Sequence, residues 1–182
     1  DKNLLYIKDN FGYTPAHRAA SYCHTETLKA LYELDEKLLS IKNIFGYTPA
    51  HHAADIGHTE TLKTLFKIDK KLLYTGDNVG DTPVHRAASM GHTDLIKALF
   101  ELDKNLLNTK NNHGNIPAHS AAKEGHAGVL KVLFELNKNF LNTKNNHGRT
   151  PAHLAAKQGR TEVLKILFKL EKNHLIERDK NG

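Results

Sequence analysis

Tryptophan is absent from this chain of 182 residues, and cysteine and methionine occur once each. With Cys23 alone, no intrachain disulfide can form and no Cys-x-x-Cys pair exists for zinc or redox chemistry. That usage fits a reducing, cytoplasmic setting. No apolar run approaches the roughly 18 residues that a membrane span requires. No segment near Asp1 combines a basic start, an apolar stretch and a small-residue cleavage site, so no secretory leader is visible. G-x-S-x-G, a phosphate-cradling glycine loop with lysine and H-E-x-x-H are all missing, which removes the best-marked hydrolase, nucleotide-binding and metalloprotease readings. No cofactor is expected. Charged residues make up 25% and apolar residues 39%, ordinary values for a water-soluble protein.

Proline occurs only five times, and never at random. It sits at positions 15, 49, 83, 117 and 151, each 34 residues after the last. Around it the chain repeats a phrase: Thr14-Pro-Ala-His17, Thr48-Pro-Ala-His51, Thr82-Pro-Val-His85, Ile116-Pro-Ala-His119 and Thr150-Pro-Ala-His153. A fixed period of this size marks a stacked-repeat architecture. The units run 13–46, 47–80, 81–114, 115–148 and 149–182, after a fragment, 1–12, that matches the close of a later unit. The expectation is a single array, 1–182, cut from a longer one.

In the unit 47–80, Pro49 is tolerated at the opening of a short helix, because no intrahelical N–H bond is needed there. Small Ala50, Ala53 and Ala54 let a neighbouring backbone approach, and Gly57 ends the helix. His58 or Thr59 caps a second helix whose Leu62, Leu65, Phe66 and Ile68 fall on one face. Leu72-Leu73 anchors the chain after it, and Asp77–Gly80 forms a turn with glycine at positive φ. One unit cannot bury its apolar stripe alone; a stack can.

These units resemble ankyrin repeats. The resemblance rests on Thr-Pro-x-His, the following Ala-Ala pairs (Ala53-Ala54 and its equivalents), the Gly-His of Gly57-His58, Gly91-His92 and Gly125-His126, and the Asn-x-x-Gly turn. It covers the whole chain. It implies an all-α solenoid of stacked helix-turn-helix units joined by β-turn loops, a non-enzymatic scaffold for protein partners. It also implies that threonine hydroxyl, imidazole and backbone tie each turn together. Departures from the pattern are alanine, or Val84, for the usual leucine after Thr-Pro, and Asp35, Asp69, Asp103, Asn137 or Glu171 where glycine is usual. Further departures are Ile116 for threonine, Cys23 for glycine, Arg160 for histidine and a period of 34 rather than 33.

Nine of the thirteen histidines have a repeated structural task under this resemblance. His113 and His147 fall at equivalent turn positions of adjacent units, but no zinc-ligand spacing supports them as a metal pair. Cys23 reads as a small hydrophobe at a helix end rather than a nucleophile. Lys29, Lys63, Lys97, Lys131 and Lys165 recur at one position, as a solvated face would.

Partner choice belongs to positions that differ between units. In ankyrin arrays the turn tips and inner-helix ends line a concave groove. The first three units place Phe11, Tyr13, Tyr22, Ile44, Phe45, Tyr47, Ile56, Val79 and Met90 there, a candidate patch for an apolar or aromatic segment of a protein partner. The last two place polar residues there, including His113, Asn115, Lys123, His147, Arg149 and Lys157. Residues 1–114 carry 14 basic and 14 acidic side chains, whereas residues 115–182 carry 12 and 6. Arg149, Lys157 and Arg160, with Lys165, Lys169, Lys172, Arg178 and Lys180, form a basic end suited to acidic neighbours. Nucleic-acid binding is disfavoured, because the aromatic half carries no net positive charge. A recruiting segment of a larger effector or enzyme is the alternative. Abundant lysine and asparagine without tryptophan suits an AT-rich genome, and on that basis an exported bacterial or parasite protein acting in a host cytosol. Val163, Leu164, Ile166, Leu167, Phe168 and Leu170 keep the internal pattern to the end, without a polar cap.

Overall fold

A computed structural model describes residues 2–180, with side chains described for residues 4–172. The side chains of Arg178 and Lys180, named above, lie outside the described set. Among the described residues there is no β-strand. Helices come in pairs. The inner members are α1 (Pro15–Ser21), α3 (Pro49–Ile56), α5 (Pro83–Ser89), α7 (Pro117–Glu124) and α10 (Pro151–Lys157). The outer members are α2 (Thr25–Leu34), α4 (Thr59–Ile68), α6 (Thr93–Leu102), α8 (Ala127–Leu136) and α11 (Thr161–Lys180), with a short α9 (Asn139–Asn142) after α8. Each inner helix packs on the next inner helix and each outer helix on the next outer one, so the units form a row.

Alanine makes the inner row possible. Ala19, Ala20, Ala53, Ala54, Ala87, Ala88, Ala121 and Ala122 are buried, and their small volume lets the short helices approach. The outer row contributes the bulk of the apolar core through Leu28, Leu62, Leu65, Ile96, Leu99, Leu130 and Leu133. Burial of one such leucine is worth roughly 1.5–3 kcal/mol.

The 34-residue period has a local cause. Asp35, Asp69 and Asp103 take an extended backbone, and their Oδ1 atoms accept the N–H two residues on at 2.9–3.0 Å. Each caps a 3₁₀ turn (Glu36–Leu39, Lys70–Leu73, Lys104–Asn108) whose leucine pair is buried. An aspartate therefore does by capping what glycine does elsewhere by conformational freedom. Asn137 works the same way, accepting from the Asn139 N–H at 3.0 Å. Glu171 is one methylene longer and a better helix former. There the outer helix does not break: α11 runs 20 residues against 10 for the other outer helices.

Positive φ appears at the inner-helix ends and at the turn tips. Cys23 stands at the position of Gly57, Gly91 and Gly125 and shares their left-handed geometry, with φ of 59°. It is exposed at the end of α1, and its Sγ accepts from the Thr61 hydroxyl at 3.2 Å. His58 stands at the start of α4 but caps nothing with its side chain, which is committed elsewhere.

Candidate functional site: the concave face

Each unit sends out a turn whose base is closed by one side chain. Asp9, Asn43, Asp77, Asn111 and Asn145 each accept two N–H groups, two and four residues on, at 2.9–3.0 Å. Adjacent turns are stitched by backbone bonds: Ile44 N–H to Phe11 C=O, Asn112 N–H to Val79 C=O and Asn146 N–H to His113 C=O, at 3.0–3.3 Å. Gly46 is required at its tip. Its φ is +82°, and a Cβ there would collide with the backbone and side chain of Asn78.

The Thr-Pro-x-His histidine locks the turn to the next unit. The Thr48 N–H donates to His51 Nδ1 at 3.1 Å, so that nitrogen carries no proton. The Thr48 hydroxyl lies 2.8 Å from the same atom. His51 Nε2 sits 2.8 Å from the Asp81 carbonyl, which can only accept. The ring is therefore the neutral Nε2–H tautomer. Burial drives its pKa down to about 3. His17, His85 and His119 make equivalent bonds to the carbonyls of Tyr47, Asn115 and Arg149, and burial lowers their pKa values too. Ile116 removes a hydroxyl from this network but keeps the backbone bond, 3.3 Å from N–H to His119 Nδ1.

A second tie sits at the far end of the inner helices. His58, His92 and His126 hold the carbonyls of Ser21, Asp55 and Ser89 one unit back at 2.7–2.9 Å. Arg160 takes over this task in the last unit: its Nε–H donates to the Lys123 carbonyl at 2.9 Å. One member of the expected basic end is thus a structural tie.

On this frame the chain carries two different concave surfaces. In the first three units Phe11, Tyr22, Ile44, Phe45, Ile56, Val79 and Met90 are exposed, from 46% for Val79 to 69% for Tyr22. Tyr13 and Tyr47 differ from the sequence expectation of open anchors. Both are half-buried and already occupied. Tyr13 lies edge-on to His52 at 4.8 Å and carries the Arg18 guanidinium 4.7 Å from its centroid. Tyr47 stacks on His51 at 5.5 Å and carries the Arg86 guanidinium at 4.9 Å. Arg18 and Arg86 are matched in turn by Asp9 (2.6 Å) and Asp55 (2.7 Å). Burial, the first cause, pushes the Tyr47 phenol up and lowers His52 to about 4.

From the third unit to the last the same face opens into a groove of about 690 Å³. Ser120 and Leu154 stand where Arg18, His52 and Arg86 stand earlier, and Asp81, Asn115 and Arg149 follow at the tyrosine position, so the tyrosine ring and the cation or imidazole packed on it are not repeated there. The walls include His113, Lys123, His147, Arg149 and Lys157. Sequence reasoning named most of these residues but not the cavity, because the cavity comes from what unit 4 lacks. Among the described residues no group of three or more His, Cys, Asp or Glu could hold a metal ion.

A family profile described as Ankyrin repeats (3 copies) matches residues 2–73, 32–108, 70–140 and 102–179. The chain belongs to the ankyrin-repeat family. Comparison with curated proteins returns no match. Ankyrin repeats are generally protein–protein interaction modules, and this ankyrin array has the helix pairs, turn tips and inter-unit ties of that fold. No helix among its described residues is long and apolar enough to cross a membrane.

Proposed function

We propose that this ankyrin array is a non-enzymatic, cytoplasmic binding module that grips a partner protein through the concave face of its first three units. The observation that supports this reading is the row of exposed apolar side chains on stitched, rigid tips: Phe11, Ile44, Phe45 and Val79, with Tyr22, Ile56 and Met90 at the inner-helix ends. The buried scaffold positions repeat from unit to unit, while these positions vary. Apolar side chains held in place by hydrogen-bonded turns lose little freedom on binding, so their burial is converted efficiently into affinity. Tyr13 and Tyr47 serve as the floor beneath them. The basic end favours acidic neighbours on the same partner.

The test is affinity capture from lysate with wild type and an Ile44→Ala/Phe45→Ala variant, followed by calorimetry on the captured protein. Loss of two anchors is expected to weaken binding by roughly 2–4 kcal/mol, about 30-fold or more. An unchanged affinity for the variant removes the patch from the account.

A further inference from the structure

The open groove in units 3–5 has an electrostatic asymmetry that the rest of the concave face lacks. Arg18, Arg86 and Lys123 are matched by Asp9, Asp55 and Glu124, the last at 3.2 Å. Arg149 and Lys157 line the groove and make no ion pair among the described residues. Of the two groove carboxylates, Glu124 faces both Lys123 and Arg160, while Asp81, whose Oδ1 accepts from Asn111 Nδ2 at 2.7 Å, keeps its charge two units away from Arg149. The unmatched bases of the last unit attract anionic side chains. The unit-3 end of the groove carries its exposed apolar side chains, Val79 and Met90, 46% and 47% exposed, beside Asp81, Arg86 and Ser89.

We infer that the groove centred on Ser120 seats an extended acidic segment of the partner, its carboxylates on Arg149 and Lys157 and an apolar side chain on Val79 and Met90. This rests on the protein-binding reading above and fixes the chemistry and polarity of the bound segment. Packed inner helices lie roughly 10 Å apart, so units 3 to 5 span about 20 Å. An extended chain covers about 3.3 Å per residue, which puts the apolar anchor about six residues from the acidic pair. Carboxylates, rather than phosphodiesters, are the occupant, because no Phe, Tyr or Trp lines the groove and the Asp81 and Glu124 carboxylates oppose a continuous run of phosphates.

The experiment is fluorescence anisotropy with the labelled peptide Leu-Ser-Gly-Ser-Gly-Ser-Asp-Glu. Binding is expected to weaken at least tenfold when Asp-Glu is replaced by Asn-Gln, when the acids are moved next to the leucine, and in the Arg149→Gln/Lys157→Gln protein. Added salt should weaken it as well. Neither side chain makes a hydrogen bond or ion pair among the described residues, so the variant should melt with the wild type; the charge-reversed Arg149→Glu/Lys157→Glu protein should prefer a Lys-Lys peptide. Equal affinity of wild type and the glutamine variant overturns the inference, as does tighter binding of an eight-residue oligothymidylate or of a phosphoserine peptide. The Ile44→Ala/Phe45→Ala protein should bind the peptide normally. Failure of the peptide with retained sensitivity of partner capture to Phe45 sinks the groove alone and leaves the wider reading standing.

Discussion

Lowering the pH from 7 to 5 loads protons onto the unfolded chain but not onto His51. The folded ring is held neutral near a pKa of about 3, against 6.5 when unfolded. Between those values the unfolded state binds more protons, so stability is fully present above pH 6.5 and drains away as pH falls toward 3. For one such histidine the loss between pH 7 and pH 5 is about 2 kcal/mol. His17, His85 and His119 are shifted in the same direction by burial and add to the slope. Carboxylates held low, such as Asp9 and Asp103, lose their contribution only nearer pH 4, so the window from 7 to 5 belongs to imidazole. Urea unfolding followed by circular dichroism, at constant ionic strength, reads the difference directly. A His51→Gln protein starts less stable, and its loss between the two pH values should be smaller by about 2 kcal/mol. Equal stability of the wild type at pH 7 and pH 5 refutes the buried-neutral-histidine argument.

Other perturbations separate the ties from one another. Gly46→Ala combines a left-handed φ with a collision against Asn78, whereas Gly148→Ala has φ of +71° and nothing within 4 Å. Thermal melts should show the first costing about 2 kcal/mol or more and the second about 1. Cys23→Gly relieves a non-glycine residue at φ of 59° and should raise the melting temperature by a few degrees, despite loss of the Thr61 contact. Arg160→His should be nearly neutral, while Arg160→Ala should cost about 1 kcal/mol, because the bond to the Lys123 carbonyl is the tie that histidine makes in the other units.

The period, the helix pairs and the histidine ties were legible because they rest on shared residues, each repeating one physical solution. Asp35, Asp69 and Asp103 recur at the same period but read only as departures from glycine, since the recurrence of a letter does not say which N–H its side chain caps. Arg160 read as charge because its reach across the unit boundary depends on backbone placement. Tyr13 and Tyr47 were the main misreading. Their aromatic character suggested open anchors, but the residue after each Thr-Pro-x-His phrase (Arg18, His52, Arg86) comes from the helix beside or beyond and covers them. The same position, as Ser120, opens the groove; a side chain too small to fill a space leaves no mark in a one-dimensional pattern.

Hydrogen exchange on the array bound to its captured partner bears most directly on the concave-face account. Slowed exchange is expected at the turn tips 10–13, 44–47 and 78–81 and along the groove at 113–124 and 147–158, with the outer helices α2, α4 and α6 unchanged. Protection confined to those outer helices would contradict the account.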